Sequence, residues 1–230
     1  MSNTVLVIGQ SGSGKSTSLR NLDPNSTFII NVLDKPLPFR GFKKNYLPIK
    51  SVKDDKGNKT GETIGNYFAS DNWEDVIKII NFVNSKRPDI TTLIIDDWQY
   101  ILAYEFMRRA SEKGYDKFSE LANHGWATID NCLRARPDLT CFILAHSDTD
   151  INGKSKCKTI GKMLDEKISI EGLFTTVLHS RFVDGEYIFQ TQNDGDFLAK
   201  SPMGMFDDLL IPNDLVEVKG AVENYFNEGA

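Results

Sequence analysis

The sequence predicts an α/β fold with a mainly parallel sheet flanked by helices, and three observations carry that expectation. Continuous apolar runs recur at Thr4–Gly9, Thr27–Asn31, Thr91–Asp96 and Leu139–His146, the pattern of strands covered on both faces. Segments with helical spacing alternate with these runs over the first 146 residues, as strand–helix–strand units require. Asp184-Gly185 separates two further strand-like segments, Thr175–Val183 and Glu186–Gln192, which predicts an antiparallel hairpin added at one edge.

The elements follow in order. Thr4–Gly9 runs straight into a Gly/Ser-rich turn, after which a short helix is predicted from about Lys15 to Asn21. Asp23-Pro24-Asn25 marks a turn before the strand Thr27–Asn31. Residues 32–72 are irregular. Pro36 and Pro38 exclude a helix over Leu33–Pro38, and Asn45–Lys53 with Gly61–Ala69 flank the polar stretch Asp54–Lys59, predicting an inserted β-hairpin. Val76, Ile77, Ile79, Ile80 and Val83 place a helix over Trp73–Asn84, capped by Asp71 or Asn72. Beyond the strand Thr91–Asp96, helices are expected over Trp98–Lys113 and Lys117–Ala135, the second ended by Pro137. After Leu139–His146, residues 148–162 hold few apolar positions and are expected to form a mobile basic loop. A short helix near Met163–Ile170, the hairpin, and a closing helix over Asn213–Phe226 complete the chain.

Composition bounds the function. The 230 residues suit one domain over 1–230 with the insertion at 32–72. A net charge of −5 argues against coating nucleic acid through bulk charge but leaves room for a local basic loop. No apolar run reaches the roughly 20 residues of a membrane-spanning helix, and Met1–Thr4 has no basic start leading into an apolar stretch, so neither a membrane partner nor a signal peptide is expected. Cys132, Cys141 and Cys157 have no CxxC spacing and are expected as free thiols of a reducing, cytoplasmic compartment.

The chemistry is concentrated in Gly9-Gln10-Ser11-Gly12-Ser13-Gly14-Lys15-Ser16, which fits G-x-x-x-x-G-K-[ST] at every fixed position. Such a loop turns successive backbone N–H groups into one concavity at a helix N-terminus, where phosphate oxygens bind. Lys15 is expected on the β- and γ-phosphates and facing solvent without nucleotide. Ser16 is expected on Mg²⁺, and Thr17 completes the binding segment. Leu93–Asp97 is a second element: Asp96 ends an apolar strand at the edge where phosphates sit and would hold Mg²⁺ through water. Asp97 has two readings, the acid that orients the attacking water or a cap for the next helix. His146 ends the fourth strand and is either a γ-phosphate sensor or a structural histidine. These features imply ATP and Mg²⁺ as ligands, with Lys15, Asp96, Asp97 and His146 as the catalytic candidates.

Together these elements resemble P-loop ATPases of the additional-strand class, which contains AAA and RecA-type proteins. More narrowly, Lys35-Pro36-Leu37-Pro38-Phe39, Ala145-His146-Ser147, Gly161-Lys162, Lys200-Ser201-Pro202-Met203 and Ile211–Leu215 resemble phage-encoded ATP-binding proteins of single-strand annealing and recombination. The resemblance implies a RecA-like sheet, a homo-oligomer with ATP between neighbours, a cation acting in trans, single-stranded DNA and phage single-strand binding or recombination proteins as partners, and the host cytoplasm. Candidate trans cations are Lys154, Lys156, Lys158, Lys162, Lys167 and Arg181. The lysines of Gly153–Lys167 have three readings: DNA phosphate, a neighbour's ATP, or a solvated loop. Arg40, Lys43, Lys44, Lys50 and Lys53, interleaved with Phe39, Phe42 and Tyr46, suit a single strand or a set of core aromatics with solvated cations. Glu is absent from the positions where fast relatives carry their acid, so turnover is expected to be slow or DNA-stimulated. Two other functions fit a phosphate loop: a small-molecule kinase, disfavoured by the lack of arginines over 152–162, or a low-turnover loader or assembly module.

Overall fold

The computed structural model describes residues 2–150, 153–161 and 163–227. Its strands and helices, in chain order, are β1 (Asn3–Gly9), β2 (Thr27–Asn31), α1 (Phe42–Asn45), β3 (Lys50–Lys53), β4 (Lys59–Ile64), β5 (Tyr67–Ala69), α2 (Trp73–Lys86), β6 (Thr92–Asp96), α3 (Gln99–Arg108), α4 (Asp116–Leu133), β7 (Thr140–Thr149), β8 (Ser155–Cys157), β9 (Thr176–Val183), β10 (Glu186–Gln190), β11 (Leu210–Pro212) and α5 (Leu215–Asn227). The main sheet runs β11-β10-β9-β1-β7-β6-β2-β5. From β9 to β5 every pairing is parallel, while β10 and β11 add an antiparallel edge. This is the predicted mainly parallel α/β sheet flanked by helices, with a RecA-like P-loop topology. β7 lies between the phosphate-loop strand β1 and the acidic strand β6, which is the additional strand of that class.

The apolar runs are continuous because both faces of the sheet are covered. Side chains alternate with period two. Leu6, Ile8, Phe28, Leu93, Ile95 and Ile143 pack under α2, α3 and α4 with Val76, Ile80, Ile101 and Ile129. Val5, Val7, Ile29, Ile94, Phe142 and Leu144 pack on the opposite face with Leu19, Leu215, Val218 and Val222. α2 begins where Asn72 Oδ1 accepts from the backbone N–H of Glu74 at 2.8 Å, so Asn72 is the cap.

Parallel register brings the carboxyl ends of four strands to one edge. Gly9 lies opposite His146, and Asn31 opposite Asp96. Ligands of open α/β sheets bind outside these ends.

Several expectations are corrected. The phosphate loop leads into a 3₁₀ segment, Ser16–Asn21. The inserted hairpin is shorter than expected, because α1 occupies Phe42–Asn45 and β5 leaves the hairpin to join β2 in the main sheet. The break falls at Gly65, whose φ is 96° and where a Cβ would lie 2.5 Å from the Pro48 carbonyl oxygen, so only glycine fits. Residues 148–149 continue β7, and Ser147–Thr149 pairs with Ser155–Cys157 in an antiparallel hairpin where an irregular loop was expected. Met163–Lys167 is a π-helical turn followed by a 3₁₀ turn at Ile170–Leu173. β11 is an addition to the expected elements, since three residues carry too little pattern to be read.

The insertion is tied to the sheet through Asn66. Its Oδ1 accepts from Leu47 N–H at 2.8 Å, and its Nδ2 donates to the carbonyls of Pro24 and Asn45 at 2.7 and 3.0 Å. Asn66→Ala removes three hydrogen bonds to these part-buried groups. It should lower urea-unfolding stability by about 2–3 kcal/mol, whereas Lys59→Ala on the exposed hairpin should change it by less than about 0.5 kcal/mol.

Candidate functional site

The phosphate loop closes at the end of β1 and is held by its neighbour strand. Ser180 of β9 donates through Oγ to the Ser13 carbonyl at 2.7 Å, and Asn213 Nδ2 donates to that same Oγ at 3.2 Å. Gly14 has φ 99°, and a Cβ there would lie 2.7 Å from Tyr187 Cδ1, so glycine lets the aromatic ring of β10 close over the loop. The result is a cleft of about 310 Å³. Ser11, Gly12, Gly14, Lys15, Ser16 and Thr17 form one wall, Lys35, Pro36 and Pro38 another, with Asp97, His146 and Tyr187 completing it. Gly9, Gln10 and Ser13 do not line this cleft but shape the loop. The Gln10 carbonyl accepts from Ser13 N–H at 3.3 Å.

Lys15 does not face solvent as expected. It is buried, and its Nζ donates to the carbonyls of Gly9 and Gln10, each at 2.8 Å. Burial lowers its pKa to about 8 despite the nearby Asp97 and Asp96 carboxylates. The ammonium is thus packed against the loop's own carbonyls, with phosphate oxygens as the obvious replacement acceptors.

Ser16 and Asp96 meet as the motif requires. Ser16 Oγ donates to both Asp96 carboxylate oxygens, at 2.9 and 3.0 Å. Asp96 is fully buried, and burial followed by the charge on Asp97 raises its pKa above the usual carboxylate range. A hydroxyl beside a buried carboxylate is a hard oxygen donor set suited to Mg²⁺. Among the described residues no group of three or more His, Cys, Asp or Glu could hold a metal by itself, so an ion here would complete its shell with phosphate and water.

Asp97 is not a cap. α3 begins without a side-chain cap bond, and the Asp97 backbone turns through φ 62°, an uncommon conformation that aims the carboxylate into the cleft. His146 Nε2 lies 3.3 Å from Asp97 Oδ1, and Lys35 Nζ forms an ion pair with Asp97 Oδ2. Burial would raise the Asp97 pKa, but His146 and Lys35 hold it below the usual range. His146 is fixed by Gln99, whose Oε1 accepts its backbone N–H at 3.1 Å, and by the edge-on ring of Tyr100.

The candidate trans cations lie elsewhere. Lys154 and Lys158 are exposed on or beside the β7–β8 hairpin, Lys156 is part-buried there, and Lys167 is exposed at the end of its π-helical turn. Lys162 lies outside the described residues. Arg181 stacks over Phe197 at 4.0 Å and donates to Gln190 Oε1 at 2.6 Å. None of those described lines the cleft. Phe42 and Tyr46 are buried, Phe39 packs on both, and Phe42 packs on Tyr67, so these aromatics are core and only Arg40, Lys43, Lys44, Lys50 and Lys53 are exposed.

Sequence reasoning missed Lys35, Ser180, Gln99 and Tyr187. Lys35 had a signal: it follows a buried parallel strand at its carboxyl end, where ligands gather. The other three are set by packing between elements distant in the chain.

No curated protein sequence matches this chain. A family model described as an AAA domain matches residues 1–203, a span that includes the phosphate loop, both carboxylates, His146, Ser180 and Tyr187. The chain belongs to the AAA domain family and is an AAA-type P-loop ATPase.

Proposed function

We propose that this protein binds ATP with Mg²⁺ and hydrolyses it to ADP and phosphate, acting as a homo-oligomer on single-stranded DNA in phage recombination, annealing or replication. The contact with buried Asp96 of Ser16, which lines the cleft beside Lys15, carries the nucleotide reading. Bound Mg²⁺ would be held by Ser16 and, through water, by Asp96, and would neutralise charge on the phosphate oxygens. Lys15 leaves the Gly9 and Gln10 carbonyls for the phosphates. Asp97 orients the attacking water and takes its proton as the oxygen bonds to the γ-phosphorus. The bond to the β,γ-bridging oxygen breaks, and ADP leaves with that electron pair. His146 reports the state of Asp97 along β7, which runs without interruption into the hairpin bearing Lys154, Lys156 and Lys158. That continuity supports a nucleotide-linked DNA contact at the hairpin.

ATP turnover measured with and without single-stranded DNA, with oligomer size followed in the same samples, tests the reading. Stimulation with a larger assembly is the expected outcome; unchanged turnover by a lasting monomer contradicts it. Replacing Lys154, Lys156 and Lys158 by Ala should weaken DNA binding and reduce its salt slope by roughly 0.7 for each phosphate no longer neutralised.

Lys15→Met should abolish ATP binding while circular dichroism and thermal melting still report a folded protein. In the wild type, ATP needs Lys15 protonated. With a free-state pKa of about 8, the Lys15 contribution to affinity should be complete below pH 8 and should fall by up to about tenfold per pH unit above it.

Asp97→Asn should retain ATP binding and slow single-turnover hydrolysis by roughly 100-fold or more. An unchanged rate would remove Asp97 from the chemistry.

A further inference from the structure

Lys35 lies across the cleft from the phosphate loop. Its backbone is fixed: Asn31 Nδ2 donates to the Lys35 carbonyl at 2.7 Å, Tyr67 donates through its hydroxyl to Asp34 Oδ1 at 2.9 Å, and Pro36 follows directly. Asn31 is itself buried in β2, opposite Asp96. The side chain is 47% exposed, whereas its ion-pair partner Asp97 is 2% exposed. Lys35 therefore reaches in from the cleft mouth to a carboxylate on the inner wall. Lys15 and Lys35 border the same 310 Å³ space and share its electrostatics: the charge on Lys35 lowers the Lys15 pKa, and both are drawn to Asp96 and Asp97.

An ammonium engaged with a single carboxylate at a phosphate-sized cleft has an alternative acceptor once a phosphoryl group enters. We infer that Lys35 is a terminal-phosphate ligand supplied by the same chain, which exchanges Asp97 for the γ-phosphate when ATP binds and so frees that carboxylate for water. ADP has no phosphoryl group at that position and leaves the Lys35–Asp97 pair closed. The pair thus links the presence of a third phosphate to release of the acid. The trans cation expected from the resemblance is then an addition to a cation already in place. This inference rests on the nucleotide-binding reading and deepens it by assigning discrimination between triphosphate and diphosphate to one side chain.

The test is equilibrium binding of ADP and of a β,γ-imido ATP analogue, each with excess Mg²⁺, to the full chain and to Lys35→Ala and Lys35→Arg. Lys35→Ala should weaken the analogue by roughly 10- to 100-fold, the range of a charge-assisted bond, with ADP affinity unchanged within about twofold. Lys35→Arg should recover most of the difference. Retained ADP binding shows that the variant is folded. Equal loss of both ligands, or no change in either, overturns the assignment. Failure of the wild type to bind either nucleotide overturns the nucleotide reading itself, and this inference with it.

Discussion

Two adjacent carboxylates at the end of β6 set the electrostatic constraint around which the site is built. Asp96 is fully buried and Asp97 nearly so. Neighbouring buried anions raise each other's pKa, and burial adds to the cost. The structure divides the problem. Among the described residues the Asp96 carboxylate takes its side-chain hydrogen bonds from the Ser16 hydroxyl, and it is held above the normal carboxylate range. Asp97 has Lys35 and His146 and is held below it. One carboxylate is left wanting a cation, and the other has two groups to release. Lys15 lies close enough to feel both, yet bonds neutral carbonyls. The proposed metal–triphosphate would bring a cation to Asp96 and phosphate acceptors to Lys15 and Lys35.

Sheet topology explains why these groups meet. Parallel pairing forces the carboxyl ends of β1, β2, β6 and β7 onto one edge, and the register fixes Gly9 beside His146 and Asn31 beside Asp96. Contacts across 80 residues, such as Ser16 with Asp96, therefore follow from strand order. β9 supplies the remaining restraint, because Ser180 ties the phosphate loop to a strand that also carries the antiparallel edge. Tyr187 then closes over Gly14 from that edge. The antiparallel addition shapes the cleft as well as ending the sheet.

What the sequence made legible were the features with a short-range physical cause. Buried parallel strands must be apolar throughout, so β1, β2, β6 and β7 could be read directly. The phosphate loop has fixed spacing because backbone N–H groups must converge, so Gly9 to Ser16 could also be read. The conformation of Lys15 could not, because its burial depends on how tightly the loop curls over its own carbonyls. Phe39, Phe42 and Tyr46 look the same in sequence whether they stack bases or each other, and their mutual packing with the contact of Phe42 on Tyr67 of β5 decides for the core. The β7–β8 hairpin escaped because its polar strands lack an apolar face, and pairing there depends on the backbone of a strand leaving the sheet. For Asp97, cap and acid share one sequence position, and the positive φ excludes the cap.

That positive φ also says something about function. A non-glycine residue in this region is energetically disfavoured by of order 1 kcal/mol or more, and Asp97 holds it while gaining no capping bond in return. The compensation comes from the ion pair with Lys35, from the contact with His146 and from Trp98, whose backbone N–H donates to the Leu144 carbonyl at 2.9 Å and whose indole N–H donates to Thr128 Oγ at 2.8 Å. The buried indole anchors the corner, so the neighbouring carboxylate faces the cleft whatever its partner. Only the partner is free to change, and the partner on the open side is Lys35. A fixed carboxylate paired with a cation at the cleft mouth separates geometry from charge: α3 and α4 maintain the first, and under the proposed exchange the occupant of the cleft would decide the second.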